Sequence, residues 1–376
     1  MVYIHERPEW PDFEWSAEKL SESLARVRHQ QGRLLGRMER LGFQLKAEAS
    51  LQTLTEEVVK SSEIEGEILD RDQVRSSIAR RLGMDIGALT PAERHVEGVV
   101  ELMLDATQKY DHALTAERLF GWHASLFPTG RSGMLKITVG GWRTEQAGPM
   151  QVVSGPLGRE RVHFEAPAAK RLPVEMKTFL DWFNAEQEQD PVIKAALAHL
   201  WFVTIHPFED GNGRIARAIA DLALARSAHS TQRFYSMSAQ IRKERKAYYD
   251  ILERTQRGTL DITNWLDWFL GCLGRAFDGA DAIIGNVLLK AAFWEKYGAS
   301  GLNERQKMML NRLLEGFEGK LTSSKWEKIA KVSQPTATRD INDLIKRGIL
   351  QKDAAGGRST SYSLVLIDAD KTDRPA

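Results

Sequence analysis

The stretch His206-Pro207-Phe208-Glu209-Asp210-Gly211-Asn212-Gly213-Arg214 decides how this chain is read. It gathers an imidazole, a carboxylate, two glycines around an asparagine, and a guanidinium into one short segment. Residues 195–205 before it are apolar, and residues 215–225 after it keep a helical pattern. The segment therefore predicts a loop between two helices, the second beginning at the glycines. A helix N-terminus presents unpaired N–H groups and partial positive charge, which suit a phosphate. Gly211 and Gly213 let the backbone come close to an anion, and Asn212 offers a side-chain donor. Arg214 and Arg217, three residues apart on one helix face, offer paired hydrogen bonds to phosphate oxygens. Asp210 is a hard oxygen ligand of the kind magnesium takes together with substrate phosphates. His206, expected to titrate near neutrality, is placed to accept a proton from an attacking hydroxyl.

Each of these residues has a plainer reading alone: a packing histidine, a turn, a solvated pair of arginines. Their order in one segment is what sets them apart. The string matches H-P-F-x-(D/E)-G-N-G-R-x-x-R at every specified position, and in this the chain resembles the Fic family. The resemblance implies an enzyme that transfers AMP from ATP to Tyr, Thr or Ser hydroxyls of target proteins and of itself. By it, His206 is the base and Asp210 holds Mg2+. Gly211, Asn212 and Gly213 form the anion hole, and Arg214 and Arg217 bind the outer phosphates.

A second motif lies upstream. Ser61-Ser62-Glu63-Ile64-Glu65-Gly66 fits (S/T)-x-x-x-E-(G/N), which in the family marks an inhibitory helix. Residues 51–64 predict a helix, with Leu54, Val58, Ser61 and Glu65 along one side and Gly66 suited to follow its C-terminus. On sequence grounds alone Glu63, Glu65 and Glu67 also read as simple solvation. The resemblance implies instead that Glu65 pairs with Arg217, takes ground the γ-phosphate needs, and so inhibits the enzyme in cis.

Between the motifs, residues 139–143 and 150–155 alternate β-prone runs with glycines, which predicts a hairpin. The family resemblance implies a flap near 139–155 that takes a target's backbone by strand addition. His163 and His199 read as structural or surface residues. Residues 238–254 predict a helix, and the resemblance implies that its Tyr249 lies against adenine. The single cysteine, Cys272, excludes an internal disulfide and points to a reducing interior. Trp265, Trp268, Phe269 and Leu270 beside it suggest a buried, inert thiol.

Residues 303–314, 323–331 and 334–347 predict three short helices, with Ser333 capping the third and Pro335 in its first turn. Gly348 fits its stop, and residues 349–351, Gly356-Gly357-Arg358 and 362–366 suggest a β-wing. This order resembles a winged helix-turn-helix, which would present Thr336, Thr338, Arg339, Asn342, Lys346 and Arg358 to DNA. The net charge of +1 gives no global pull toward nucleic acid or membranes, so DNA affinity would need a local patch. No apolar run reaches the length of a membrane span, and the N-terminus lacks the layout of a signal peptide. A cytoplasmic protein is expected.

The architecture expected is mainly α. A helical N-terminal region covers 1–100, with helices near 17–44 and 51–64. Its aromatic-proline opening at 8–15 resembles a domain recurrent among long Fic proteins. A Fic helical core with its β-hairpin flap covers 101–275, a helical connection 276–300, and a winged helix-turn-helix domain 301–366. Two other functions stay open. One is transfer of a different phosphate-containing group, such as UMP or phosphocholine. The other is a nucleotide-sensing, DNA-binding regulator. A homodimer that gates Glu65 stays open, as does a part for Glu65 in removing AMP.

Overall fold

Helices dominate the computed structural model, which describes residues 2–39, 41–86, 90–156, 159–186, 189–298, 300–314, 317, 319–353 and 360–365. The chain forms two compact units, Met1–Asp281 and Ala282–Ala376. The first opens with α1 (Ala17–Glu39) and α2 (Phe43–Ile64). The break between them is at Gly42, extended at the N-cap of α2, so α2 starts at Phe43 rather than residue 51. From Ala49 to Ile64 this helix is buried on most sides, including Glu57, Ser61 and Ser62. Such a helix lies inside a fold rather than on it.

Next come α3 (Arg71–Arg81), α4 (Arg94–Gln108) and α5 (Ala116–Leu126). Asp70 and Thr115 cap α3 and α5 by accepting from Gln73 and Arg118 backbone N–H groups. Two antiparallel hairpins follow, β1 (Arg131–Ser132) with β2 (Leu135–Lys136), and β3 (Gln151–Ser154) with β4 (Arg161–Glu165). The hairpin expected over 139–155 is thereby displaced: its strands pair 151–154 with 161–165. Residues 139–143 form no strand, because Arg143 turns inward and spends donors on the backbone carbonyls of His206 and Pro207.

The rest of the unit is α6 (Leu172–Asn184), α7 (Pro191–Ile205), α8 (Asn212–Ala228), α9 (Met237–Lys243), α10 (Arg245–Gln256) and the start of α11 (Thr263–Tyr297). Asp190 caps α7 through Val192 N–H at 2.8 Å, with Pro191 in its first turn. All of residues 195–205 are buried. Helix α7 pairs along its length with α8, and α2 packs on α3, α4, α8 and α9. No packing boundary therefore falls at residue 100. Residues 276–297 are helical, as the later part of α11.

The second unit contains α12 (Glu304–Leu314), α13 (Ser323–Ala330), α14 (Gln334–Lys346) and a hairpin of β5 (Leu350–Lys352) with β6 (Tyr362–Leu364). Leu310, Trp326, Ile341, Leu344 and Leu350 form its core. Ser333 holds the N-cap position of α14 but bonds the Thr336 hydroxyl at 3.0 Å, not a backbone N–H. Gly356, Gly357, Arg358 and the tail at 371–376 lie outside the described residues. Among the described residues, no helix is long and apolar enough to cross a membrane.

Candidate active site

The loop between α7 and α8 is held in shape mainly by side chains that bond its backbone. His206 ends α7 in the left-handed region, at φ 52° and ψ 58°, a conformation that costs a non-glycine residue energy and needs support. Arg143 supplies it. Its Nε donates to the His206 carbonyl at 2.8 Å, its Nη2 to the Pro167 carbonyl at 2.5 Å, and its backbone N–H to Pro207 at 2.9 Å. Arg143 as a whole is only 4% exposed.

The imidazole is fixed as well. His206 Nδ1 lies 3.0 Å from the Val203 carbonyl. A carbonyl only accepts, so Nδ1 carries the proton and Nε2 keeps its lone pair. Burial first, and then Arg143, push the His206 pKa down to about 4 against the opposing pull of Val203, Glu65 and Asp210. The expected titration near neutrality is corrected: at neutral pH this residue is an uncharged base.

Asn212 braces the loop from inside. Its Oδ1 accepts from Phe208 N–H at 3.0 Å, and its Nδ2 donates to the Phe208 carbonyl at 2.8 Å. The side chain closes the loop, spending its oxygen and one of its two amide hydrogens on Phe208; its backbone N–H lies in the first turn of α8. Gly211 sits at φ +80°, where a Cβ would come within 2.9 Å of the Phe127 ring. Asp210 accepts from Gly211 N–H at 2.5 Å and from the Ser132 hydroxyl of β1. Among the described residues no three His, Cys, Asp or Glu side chains gather as a metal cage. A lone carboxylate beside a hydroxyl still fits magnesium, which completes its shell with water and phosphate.

The end of α2 reaches this loop. Gly66, at φ +86°, turns the chain after the helix, and Arg245 Nε fastens the Ile64 carbonyl at 2.8 Å. Glu65 then projects at the N-terminus of α8. A Cβ on Gly213 would lie 2.1 Å from Glu65 Oε1, so only glycine admits the carboxylate there. The same oxygen is 2.8 Å from Arg217 Nη1. Arg217 also donates to the Ser61 hydroxyl at 2.9 Å and the Ser61 carbonyl at 2.8 Å. Two residues on, Glu67 Oε2 accepts from Arg214 Nη1 at 2.6 Å, while the Arg214 guanidinium lies over Phe127. Both arginines are thus paired with carboxylates from one short turn of chain.

A cavity of about 520 Å³ is lined by Glu65, His206, Asp210, Gly213, Tyr249 and the β3 residues Gln151 to Ser154, with Gly211 and Asn212 also on its wall. Arg214 lines a neighbouring cavity of about 300 Å³ with Glu67 and Asp210; Arg217 is buried behind Glu65. Tyr249 has its hydroxyl 3.5 Å from Glu65 Oε2 and its ring under the Arg245 guanidinium. Tyr248 is buried against His199, at 2.9 Å. Cys272 is fully buried, and burial raises its pKa. His163, read from sequence as structural or surface, lines the main cavity instead. Sequence reading gave no part to Glu67, Ser132 or Arg143. The sole available signal was Glu67's place just past the glycine of the second motif.

Comparison with known proteins places this geometry. Residues 113–224 match the Fic/DOC family, and residues 3–84 match a domain of unknown function, DUF4172. Over 236 residues the chain is 28% identical to a protein adenylyltransferase Fic of Culex quinquefasciatus, covering 61% of this chain and 42% of that one. It is 26% identical over 235 residues to the protein of the same name in Drosophila mojavensis, with the same coverage. The chain thus spans less than half the length of these relatives. The solved structure of a Fic family protein from Desulfovibrio desulfuricans G20 is similar with a TM-score of 0.50 and 21% identity, covering 92% of this chain and 95% of that one. A Fic domain containing signaling protein from Bacteroides thetaiotaomicron VPI-5482 is similar with a TM-score of 0.51 and 22% identity, covering 69% and 97%. These two share the fold.

Proposed function

We propose that this chain, which carries a Fic/DOC family domain, transfers AMP from ATP to protein hydroxyls and is restrained by Glu65. The observation that carries the reading is Arg217, buried beside the N-terminus of α8 and bound to the carboxylate of Glu65. A buried cation next to a helix N-terminus is a phosphate site. Glu65 fills it from within.

With Glu65 withdrawn, the first N–H groups of α8 and the two arginines receive the phosphate oxygens. Magnesium, when bound at Asp210, neutralises phosphate charge. His206 Nε2 takes the proton of the incoming hydroxyl as its oxygen bonds to the α-phosphorus. The bond from that phosphorus to the bridging oxygen breaks, and pyrophosphate leaves. The bound phosphates bring negative charge to His206 and raise its basicity when it is needed. Arg143 keeps the imidazole aimed, and positioning is most of what this chemistry asks of a protein. Tyr249 offers a face to the adenine ring. Among the described residues β3 pairs only with β4, so its other edge is open to a target strand.

The same unit need not carry every activity. Thr338, Arg339, Asn342 and Lys346 are exposed on α14, while Asp340 is turned inward and paired with Arg305 at 2.9 Å. This arrangement favours DNA binding by the second unit as an additional function. The AMP reading is tested by incubating the protein with ATP labelled on the α- or the γ-phosphate. Label should reach protein from the α position alone. Label arriving from the γ position would replace AMP transfer with phosphorylation.

A further inference from the structure

Ser154, His163 and Glu253 form a hydrogen-bonded relay on the wall of the main cavity. The Ser154 oxygen lies 2.5 Å from His163 Nε2, and His163 Nδ1 lies 2.6 Å from Glu253 Oε2. An ionised carboxylate only accepts, so Nδ1 donates to Glu253, and in the neutral imidazole Nε2 then accepts the hydroxyl proton of Ser154. This is the order of groups that activates a hydroxyl nucleophile: hydroxyl, imidazole, orienting carboxylate. Glu253 is itself held by Arg161 at 2.9 Å and Arg257 at 2.7 Å, which fixes the imidazole. Three separate elements supply the relay: β3, β4 and α10.

Its location gives the relay a substrate. Ser154, His163 and Glu253 line the same cavity as His206, Asp210 and Gly211 to Gly213. Ser154 is exposed at the end of β3, so solvent would satisfy its hydroxyl without any help from His163. An interaction that only fastened the hairpin would not need this serine.

We infer that Ser154 is a self-modification site, its hydroxyl taking AMP in cis with His163 as its base. This rests on the AMP-transfer reading above. The Ser154 oxygen bonds to the α-phosphorus, the bond from that phosphorus to the bridging oxygen breaks, and pyrophosphate departs. The serine proton passes to His163 Nε2, and Glu253 stabilises the imidazolium. The product is a Ser154 phosphodiester of AMP, with no redox change and no further reactant.

The test uses the full chain carrying Glu65→Gly, with magnesium and ATP labelled on the α-phosphate, followed by peptide mapping by mass spectrometry. The peptide containing Ser154 should gain one AMP at that serine. Ser154→Ala should abolish labelling there, and Ser154→Thr should keep it by retaining a hydroxyl. His163→Ala should slow it by about 10²-fold or more, with a melting temperature close to that of its parent. AMP on other hydroxyls but none on Ser154 would overturn the inference and leave the function standing. Unchanged labelling in His163→Ala would overturn the relay. No AMP on any protein would remove the AMP-transfer reading, and this inference with it.

Discussion

Arg217 donates to both the hydroxyl and the carbonyl of Ser61, at 2.9 and 2.8 Å. Ser61 lies about one helical turn before Glu65, whose carboxylate meets the same guanidinium at 2.8 Å. The spacing S-x-x-x-E is therefore two contacts on one buried cation, delivered by one face of α2. Ser61 holds Nε and Nη2 while Glu65 holds Nη1, so a phosphate that claims Nη1 has to displace Glu65.

Glu67 extends this restraint to Arg214. The pair is partly exposed on the glutamate side, so breaking it should be worth about 1 kcal/mol, or about fivefold in affinity. Glu67→Gln should lower KM for ATP by about that factor, and Glu65→Gly with Glu67→Gln should exceed Glu65→Gly alone. Initial rates of AMP transfer at subsaturating ATP measure this. Equal rates for the single and double variants would limit inhibition to Glu65.

Arg143 acts through the backbone of His206 rather than on substrate. Arg143→Ala should lower kcat by about 10²-fold, the size of effect that small misplacements produce, and leave KM for ATP within a few-fold. Arg143→Lys should restore little, because one ammonium does not reproduce the planar fork that reaches two carbonyls. A raised KM with unchanged kcat would contradict the positioning role.

The helix-loop-helix at residues 206–214 and the turn at Glu65-Gly66 were legible in sequence because each is a short run of unusual residue types at fixed spacing. What escaped were groups whose partners lie far along the chain. Arg143 reads as a hairpin residue until its bonds to His206 and Pro167 are seen. His163 reads as a surface histidine until Glu253, 90 residues away, is found beside it. The bracing part of Asn212 was hidden in the same way, since only the fold shows its amide bridging the backbone of Phe208. The helix start at Phe43 was hidden because Gly42 serves as well for a turn as for a cap.

Acid should destabilise the fold through its buried histidines. Burial, the largest influence on each, lowers His123 and His206 to about 4 and His199 to about 3. The unfolded chain returns them to 6.5, so it binds more protons than the folded one between 6.5 and those values. Stability is therefore lost as pH falls through that window. The melting temperature should drop from pH 7 to pH 5, and His199→Gln should flatten the slope. A flat profile in the parent would contradict these protonation states.

The exposed face of α14 makes its own prediction. Arg339→Ala and Lys346→Ala should each weaken duplex DNA binding and reduce its dependence on salt by about one phosphate contact. Titrating labelled duplex at several salt concentrations measures this. An absence of binding by the parent protein at low salt would assign the second unit another role.

The most direct test of the central claim is transfer of α-labelled AMP to protein by the parent, Glu65→Gly, and Glu65→Gly with His206→Ala, each with magnesium. Little label is expected with the parent, strong label with Glu65→Gly, and a loss of about 10²–10⁴-fold on adding His206→Ala. Equal labelling by the parent and Glu65→Gly would contradict inhibition by Glu65. Undiminished labelling after His206→Ala would contradict the assigned base.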